Sequence, residues 1–327
     1  MIMNSNPIII TGSHRSGTTW VGNVLKNLSM VYYIHEPLTP NSITRGLFKS
    51  DIWYKYLDPK KQYPEIKSVL NNLFIGNYPI KALFDFKMSL PETDYRNPKG
   101  INNGNIDFKY LKWRIYAYLD SKKLKFKNNI IIPVVKDPIA LTALEWIFKQ
   151  WQSKNVVLIR HPAAFVSSLL RLNWRFNFDN FIKQPNLIKR FLKSYESEIN
   201  NPPNDFISEA CLIWLCTTNI ILEYQNLYPN WIYIKHEDLS YDPINEFELL
   251  FKRLELSFSN KVKRFIQSTS SHSNPSEVSK KTKVHQLQRD SRKNIKNWKK
   301  RLSKDEIKLI RDKTEHLSNK FYLDKDW

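Results

Sequence analysis

The stretch Ile8-Ile9-Ile10-Thr11-Gly12-Ser13-His14-Arg15-Ser16-Gly17-Thr18-Thr19-Trp20 decides how the rest of the chain is read. Ile8 to Thr11 is a β-branched run ended by glycine, the pattern of a short buried strand. From Thr18 the apolar residues take helical spacing, predicting a helix over 18–28. Between them, Gly12 and Gly17 carry the glycine-x4-glycine spacing of a phosphate-binding loop. Backbone N–H groups in such a turn, backed by a helix N-terminus, form a seat for anionic oxygens. Nucleoside-triphosphate enzymes place a lysine directly after the second glycine. Here that position is Thr18, and the cation lies inside the loop as Arg15. The lysine of those enzymes neutralises the β- and γ-phosphates, and the next hydroxyl holds magnesium. A loop of hydroxyls with one arginine can cradle a single phosphate but is poorly equipped for a magnesium triphosphate. The plainer alternative is a glycine turn before a polar helix start.

Outward from this loop, apolar runs alternate with helical segments. Strands are expected over 8–11, 31–34, 130–135, 155–159 and 231–234, and helices over 139–151, 163–172, 207–227 and 243–254. That alternation predicts an α/β fold, a central parallel sheet of four or five strands flanked by helices, with functional groups at the carboxyl ends of the strands. Residues 38–128 break the rhythm. Their aromatic and lysine content, as in Trp53-Tyr54-Lys55-Tyr56, reads as a helical insertion over the sheet. Residues 268–290 are polar and read as a mobile loop. Ser303-Lys304-Asp305-Glu306 is a capping box that opens a last helix over 303–320. The 327 residues fit a single domain.

With 51 basic against 31 acidic residues the net charge is +20, a field that attracts polyanions without choosing among them. Cys211 and Cys216, five apart in an expected helix, face different ways and offer no metal pair; they read as free buried thiols of a reducing compartment. The chain does not open on a basic-then-apolar leader, and no apolar run approaches a bilayer span. The expectation is a cytoplasmic, bacterial protein without a transmembrane segment, open to peripheral membrane contact.

A second constellation stands at 156–168. An apolar run ends in Arg160, Pro162 is a favourable first helical residue, and Ser168 lies two turns into the helix. Arg160 offers a planar fork to a phosphate and Ser168 a hydroxyl on the same side. An arginine at a strand end can equally pair with a surface carboxylate.

Together these strings resemble the motifs of PAPS-dependent sulfotransferases, where PAPS is 3′-phosphoadenosine-5′-phosphosulfate. Arg15-Ser16-Gly17-Thr18-Thr19-Trp20 is similar to that family's 5′-phosphosulfate loop in its carbohydrate-enzyme version. Arg160, Pro162 and Ser168 match its 3′-phosphate motif, with His161 where Asp or Asn is commoner. The resemblance implies that His14, Arg15, Ser16, Gly17, Thr18, Thr19 and Trp20 hold the 5′ end of PAPS and that Arg160 and Ser168 hold its 3′-phosphate, with no metal.

Catalysis of sulfuryl transfer needs a base for the acceptor proton and positive charge at the leaving oxygen. His35-Glu36-Pro37-Leu38 follows the second strand as similar strings do in carbohydrate sulfotransferases. Glu36 is the first candidate for the base and His35 the second, since alternation lets only one face the cleft; Glu36 as a structural anchor is the bland reading. Lys136, at the end of the third strand, matches a family lysine at the transferred group. Pro138 stands where phenol- and steroid-sulfating members carry a histidine, which speaks against their base. Asp137 is either a weaker base or a helix cap.

Near the end, Arg289, Ser291 and Arg292 precede Trp298-Lys299, resembling the family's basic 3′-phosphate loop without its glycines. Which of them meets phosphate is open, since twelve Lys/Arg lie between 280 and 308 and most must be solvated. His236-Glu237-Asp238-Leu239 resembles a Tyr-Glu-Asp-Leu string given a structural role. The acceptor expected is a glycan, glycolipid or polysaccharide hydroxyl, or an amine, rather than nucleic acid. The rivals are a P-loop kinase, which predicts the missing lysine, and a basic nucleic-acid-binding protein, which lacks any RNA or DNA motif.

Overall fold

The computed structural model describes residues 6–40, 52–77, 131–277 and 287–327, together with 115, 118 and 119. Five strands, β1 (Ile8–Gly12), β2 (Val31–His35), β3 (Ile132–Lys136), β4 (Lys154–Ile159) and β5 (Ile232–Lys235), form one parallel sheet in the order β2-β3-β1-β4-β5. Alternating side chains divide the core. Ile9, Val135, Val157 and Ile159 point to one face, and Ile8, Ile10, Val134, Val156 and Leu158 to the other. The first face is covered by helix Phe206–Leu227 and its neighbours. The second is covered by the first helix, Thr18–Lys26, and by helix Pro243–Leu254. Burial on both faces explains why the strands read as continuous apolar runs.

Register sets the functional end. Lys136 lies opposite both Ile10 and His35, and Gly12 opposite Leu158. The chain therefore leaves β1, β2, β3 and β4 at one level, and the loops after them share one rim. The connection direction changes at β1, and the crevice beyond such a switch point is where open parallel sheets bind ligands.

The expected helix over 139–151 is two elements, a 3-10 turn at Pro138–Ala143 and helix Leu144–Trp151. Asp137 caps the turn by accepting from the Ile139 N–H. Helix Phe206–Leu227 is long and apolar enough to cross a bilayer by length and composition, but 72% of its apolar window is buried inside the protein. Cys211 and Cys216 are free and buried in it, and burial pushes the Cys211 thiol up to about 12.

Of the insertion expected at 38–128, residues 52–77 are described beyond the strand exit. They hold helix Pro64–Phe74, and Trp53, Tyr54 and Leu57 lie in the core. This segment is stitched to its neighbours: the Trp53 N–H donates to Asn180, the Tyr56 N–H to Gln184, and Trp146 Nε1 to the Lys61 carbonyl. Residues 78–114, with most of 115–130, lie outside the described residues. The loop expected at 268–290 begins later, because helix Asn260–Ser270 carries through Ser270; its residues 278–286 lie outside the described ones. The capping box is formed, with Ser303 Oγ accepting from the Glu306 N–H at 3.1 Å and the Glu306 carboxylate from the Ser303 N–H at 2.7 Å. Helix Lys304–Ser318 follows.

Candidate active site

The opening loop is built by two glycines. Gly12 has φ +143, and a Cβ there would lie 2.2 Å from the Leu158 carbonyl oxygen. Gly17 has φ +96, and a Cβ there would lie 2.5 Å from His236 Nδ1. Arg15 takes the left-handed region with a side chain, φ +67, a conformation that surrounding bonds must hold. Ser16 Oγ donates to the Ser13 carbonyl at 2.6 Å. His14 is buried, with its N–H donating to the Tyr54 hydroxyl and its Nδ1 2.8 Å from the same oxygen. Helix Thr18–Lys26 starts directly behind, with its first N–H groups lacking intrahelical acceptors.

The two anion seats expected from sequence meet. Arg15 Nε donates to Ser168 Oγ at 3.2 Å, and its guanidinium lies over the Trp174 ring at 5.3 Å. Arg160 follows β4, and its guanidinium donates to the Arg15 carbonyl. Trp214 Nε1 fixes the Arg160 carbonyl at 2.9 Å. Arg160 Nε is sealed from solvent and has no hydrogen-bond partner among the described residues. Such an orphaned donor calls for an acceptor from outside.

Arg289 and Ser291 close the same cleft, Ser291 Oγ donating to the Ser240 carbonyl at 2.7 Å. Arg292 lies away from the lining, its Nε donating to the Tyr241 carbonyl and its guanidinium over the Tyr241 ring. Trp20 lines the cleft edge-on to Phe247, and its Nε1 donates to Thr269 Oγ1 at 3.0 Å. Two arginines singled out by no motif join the lining. Arg301 reaches Ser167 Oγ and pairs with Glu277; Arg171 stands one turn beyond Ser168. Burial and the charges of Arg171, Arg160 and Arg301 bring Arg289 down to about 10. Glu277, paired with Arg301, offsets part of this positive charge, and the remainder favours an anion in the cleft.

At the β2 and β3 exits stands the acid–base corner. Glu36 lines the cleft and Lys136 does not. The Lys136 side chain is 0% exposed, and its ammonium pairs with Glu36 Oε1. His35 turns the other way. It is 43% exposed, bonded to the Tyr33 hydroxyl, with Nε2 3.9 Å from Glu36 Oε2. Asp137 is buried and does not reach the cleft. Trp53, Thr39 and Trp174 also line the cleft. The whole cleft encloses and opens onto about 1270 Å³ of space. Among the described residues no three His, Cys, Asp or Glu side chains are grouped as a metal site.

No family model and no curated protein sequence matches the chain. Solved structures do. A sulfotransferase domain from the curacin biosynthetic pathway aligns at 15% identity, covering 96% of this chain and 99% of that one, with a TM-score of 0.49. A sulfotransferase of Mycobacterium avium aligns at 13% identity over 98% of this chain and 78% of that one, TM-score 0.44. A mouse sulfotransferase crystallised with PAP aligns at 11% identity over 97% and 85%, TM-score 0.41. The chain is similar to these proteins over nearly its full length; what its cleft can hold is read from its own residues.

His161 sits behind the cleft in an aromatic cage. It stacks on Trp298 at 5.1 Å and meets Tyr322 and Trp327 edge-on, and neither ring nitrogen has a partner among the described residues. Burial holds His161 and His14 neutral, each down to about 3. In the unfolded chain both titrate near 6.5. Their share of stability is therefore complete above pH 6.5 and is lost as the pH falls from there toward about 3. Each proton taken up on unfolding adds about 1.4 kcal/mol of loss per pH unit. Asp137, pushed up to about 7 by burial, opposes them in part. His161→Phe fits the same cage and removes one such proton. It is expected to flatten the fall of Tm between about pH 6 and 4.5; melting curves with the wild-type slope would refute the assignment.

Proposed function

We propose that the chain is a PAPS-dependent sulfotransferase acting on a hydroxyl or amine of a glycan, glycolipid or polysaccharide. The observation that carries this reading is the bridged pair of anion seats. Arg15 in the loop contacts Ser168 of the second seat, and Arg160 holds the Arg15 carbonyl while keeping a donor unused. Two linked seats in one cleft suit a nucleotide phosphorylated at both ends of its ribose.

The donor set fits such a ligand. Arg15, the loop amides and the start of helix Thr18–Lys26 would hold the 5′ end. Arg160, Ser168 and Arg289, with Arg171 and Arg301 beside them, would hold the 3′-phosphate. When bound, PAPS supplies a sulfuryl group activated by its phosphate leaving group. Glu36 takes the acceptor proton, and its pairing with Lys136 holds the side chain at the cleft. Arg15 offsets charge developing at the loop. Trp53 and Trp174 also line the cleft, Trp53 nearly enclosed and Trp174 with its ring under the Arg15 guanidinium. We also assign the protein to the cytoplasm, where its two thiols stay reduced.

Titration calorimetry with adenosine 3′,5′-bisphosphate tests the reading. Binding without magnesium, and at least about a hundredfold tighter than 5′-AMP, is the expected result. Equal affinity for magnesium ATP would return the chain to the kinase class. Labelled PAPS incubated with the polysaccharide and glycolipid fractions of the source cells should transfer sulfate to one of them.

A further inference from the structure

We infer that Asp137 is a positioning residue for Glu36: its carboxyl group clamps the turn after β2 and so holds the Glu36 side chain in the cleft against Lys136. This rests on Glu36 being the base, and it assigns Asp137 a role that neither base nor cap describes.

Asp137 is fully buried and stands behind the cleft lining rather than in it. Its Oδ2 accepts from the Leu38 N–H at 2.7 Å. Its Oδ1 accepts from the Thr39 hydroxyl at 3.1 Å and from the Ile139 N–H at 3.2 Å. Only the last of these serves the 3-10 turn it caps. The other two reach across to the β2 exit, the two residues that decide where Glu36 sits. Asp137 is itself pinned to the sheet, its N–H donating to the Ile10 carbonyl at 3.0 Å.

Glu36 needs such a hold. Its φ of +45 lies in the left-handed region, which a residue with a Cβ keeps only when its surroundings over-determine it. Its own turn supplies two bonds, the Glu36 N–H to the Lys136 carbonyl at 2.7 Å and the Thr39 N–H to the Glu36 carbonyl at 3.3 Å. Asp137 adds two more, from the Leu38 N–H and the Thr39 hydroxyl to the oxygens of one buried carboxyl. All three groups aimed at that carboxyl are donors. An amide in its place would set an NH2 against the Leu38 N–H in one orientation and against the Ile139 N–H in the other. Burial and the neighbouring Glu36 charge push the Asp137 carboxyl up to about 7 against the pull of these donors, so the two acids feel each other.

The test uses the full chain, PAPS as donor and the sulfate-accepting cell fraction as acceptor pool. Asp137→Asn is expected to lower kcat at least tenfold while leaving the calorimetric affinity for adenosine 3′,5′-bisphosphate within twofold. In a crystal of this variant the Glu36 carboxylate should be off Lys136. In the Glu36→Gln background the same change should cost no further turnover, because a residue acting through Glu36 has nothing left to position. A scaffold role alone would repeat its loss in both backgrounds. Should Asp137→Asn not fold, Thr39→Val removes one strand of the clamp and is expected to lower kcat at least threefold, again only when Glu36 is present.

Unchanged kcat in a folded variant, additive losses, or Glu36 still seated on Lys136 in the variant crystal overturns the assignment. Failure of the wild type to bind the bisphosphate or to transfer sulfate overturns the function itself. Glu36→Gln turning over at the wild-type rate overturns the base and this inference with it.

Discussion

Arg160→Ala is expected to weaken binding of adenosine 3′,5′-bisphosphate by about 2–5 kcal/mol, or roughly 30-fold to several thousand-fold. Arg160 directly follows β4, two residues beyond the Leu158 that lies opposite Gly12, and Trp214 fixes its backbone carbonyl. One arm of its guanidinium is committed to the Arg15 carbonyl, while Nε remains unmatched and shut off from water. Desolvation therefore already penalises the charge, as its lowered pKa indicates, and a phosphate would recover that penalty. Arg160→Lys keeps the charge without the planar fork and should fall between wild type and alanine. The control is 5′-AMP. Its affinity should change only by what the lost Arg15 contact costs, several-fold less than the loss for the bisphosphate. Calorimetry showing equal losses for both nucleotides would place Arg160 at the 5′ end or in the scaffold. Unchanged affinity for the bisphosphate would remove it from the site.

Much of the fold was legible because its signals are local. The run from Ile8 to Thr18 carries strand, turn and helix start in order, and the buried parallel sheet leaves each strand apolar on both faces. The Arg15 loop and the Arg160–Ser168 unit were legible for the same reason, since each lies within one strand–loop–helix unit. What stayed hidden depends on elements far apart in sequence. Arg301 follows Trp298-Lys299-Lys300, a run that reads as solvated, yet the last residue of that short helix folds back onto Ser167. Arg171 looks like a surface residue of helix Pro162–Leu172 until Arg289 and Arg301 arrive beside it. His236 enters the lining because Gly17 leaves room for its ring. Had the missing Cβ at position 17 been asked what it makes space for, this contact could have been sought.

The strand ends show a different limit. Sequence places Glu36, Lys136 and Asp137 at one rim, but cannot say which side chains enter the cleft. Lys136 is enclosed rather than solvated, because its side-chain nitrogen is paired with Glu36 in place of water. Asp137 follows it and points back into the β2 turn, because two donors are waiting there, the Leu38 N–H and the Thr39 hydroxyl.

Glu36→Gln is expected to lower kcat by about 10²- to 10⁴-fold, the range lost when a general base is removed. Glutamine is the informative replacement. Its carbonyl oxygen can still accept from the Lys136 ammonium, so the buried charge keeps a partner and the fold survives. Alanine would strand that ammonium, at about 3–5 kcal/mol of stability, and confuse turnover with unfolding. Because Glu36 sits at the β2 exit and the proposed phosphate seats follow β1 and β4, affinity for adenosine 3′,5′-bisphosphate should stay within a few-fold of wild type. The combination of normal product-nucleotide affinity with collapsed turnover is what separates a base from a binding residue. His35 provides the internal comparison. It is partly exposed, with Nε2 3.9 Å from Glu36 Oε2, and lies outside the cleft lining. His35→Asn should retain most activity. If instead the histidine variant loses turnover and the glutamine variant keeps it, β2 presents its alternate face to the acceptor and the proton leaves through the imidazole.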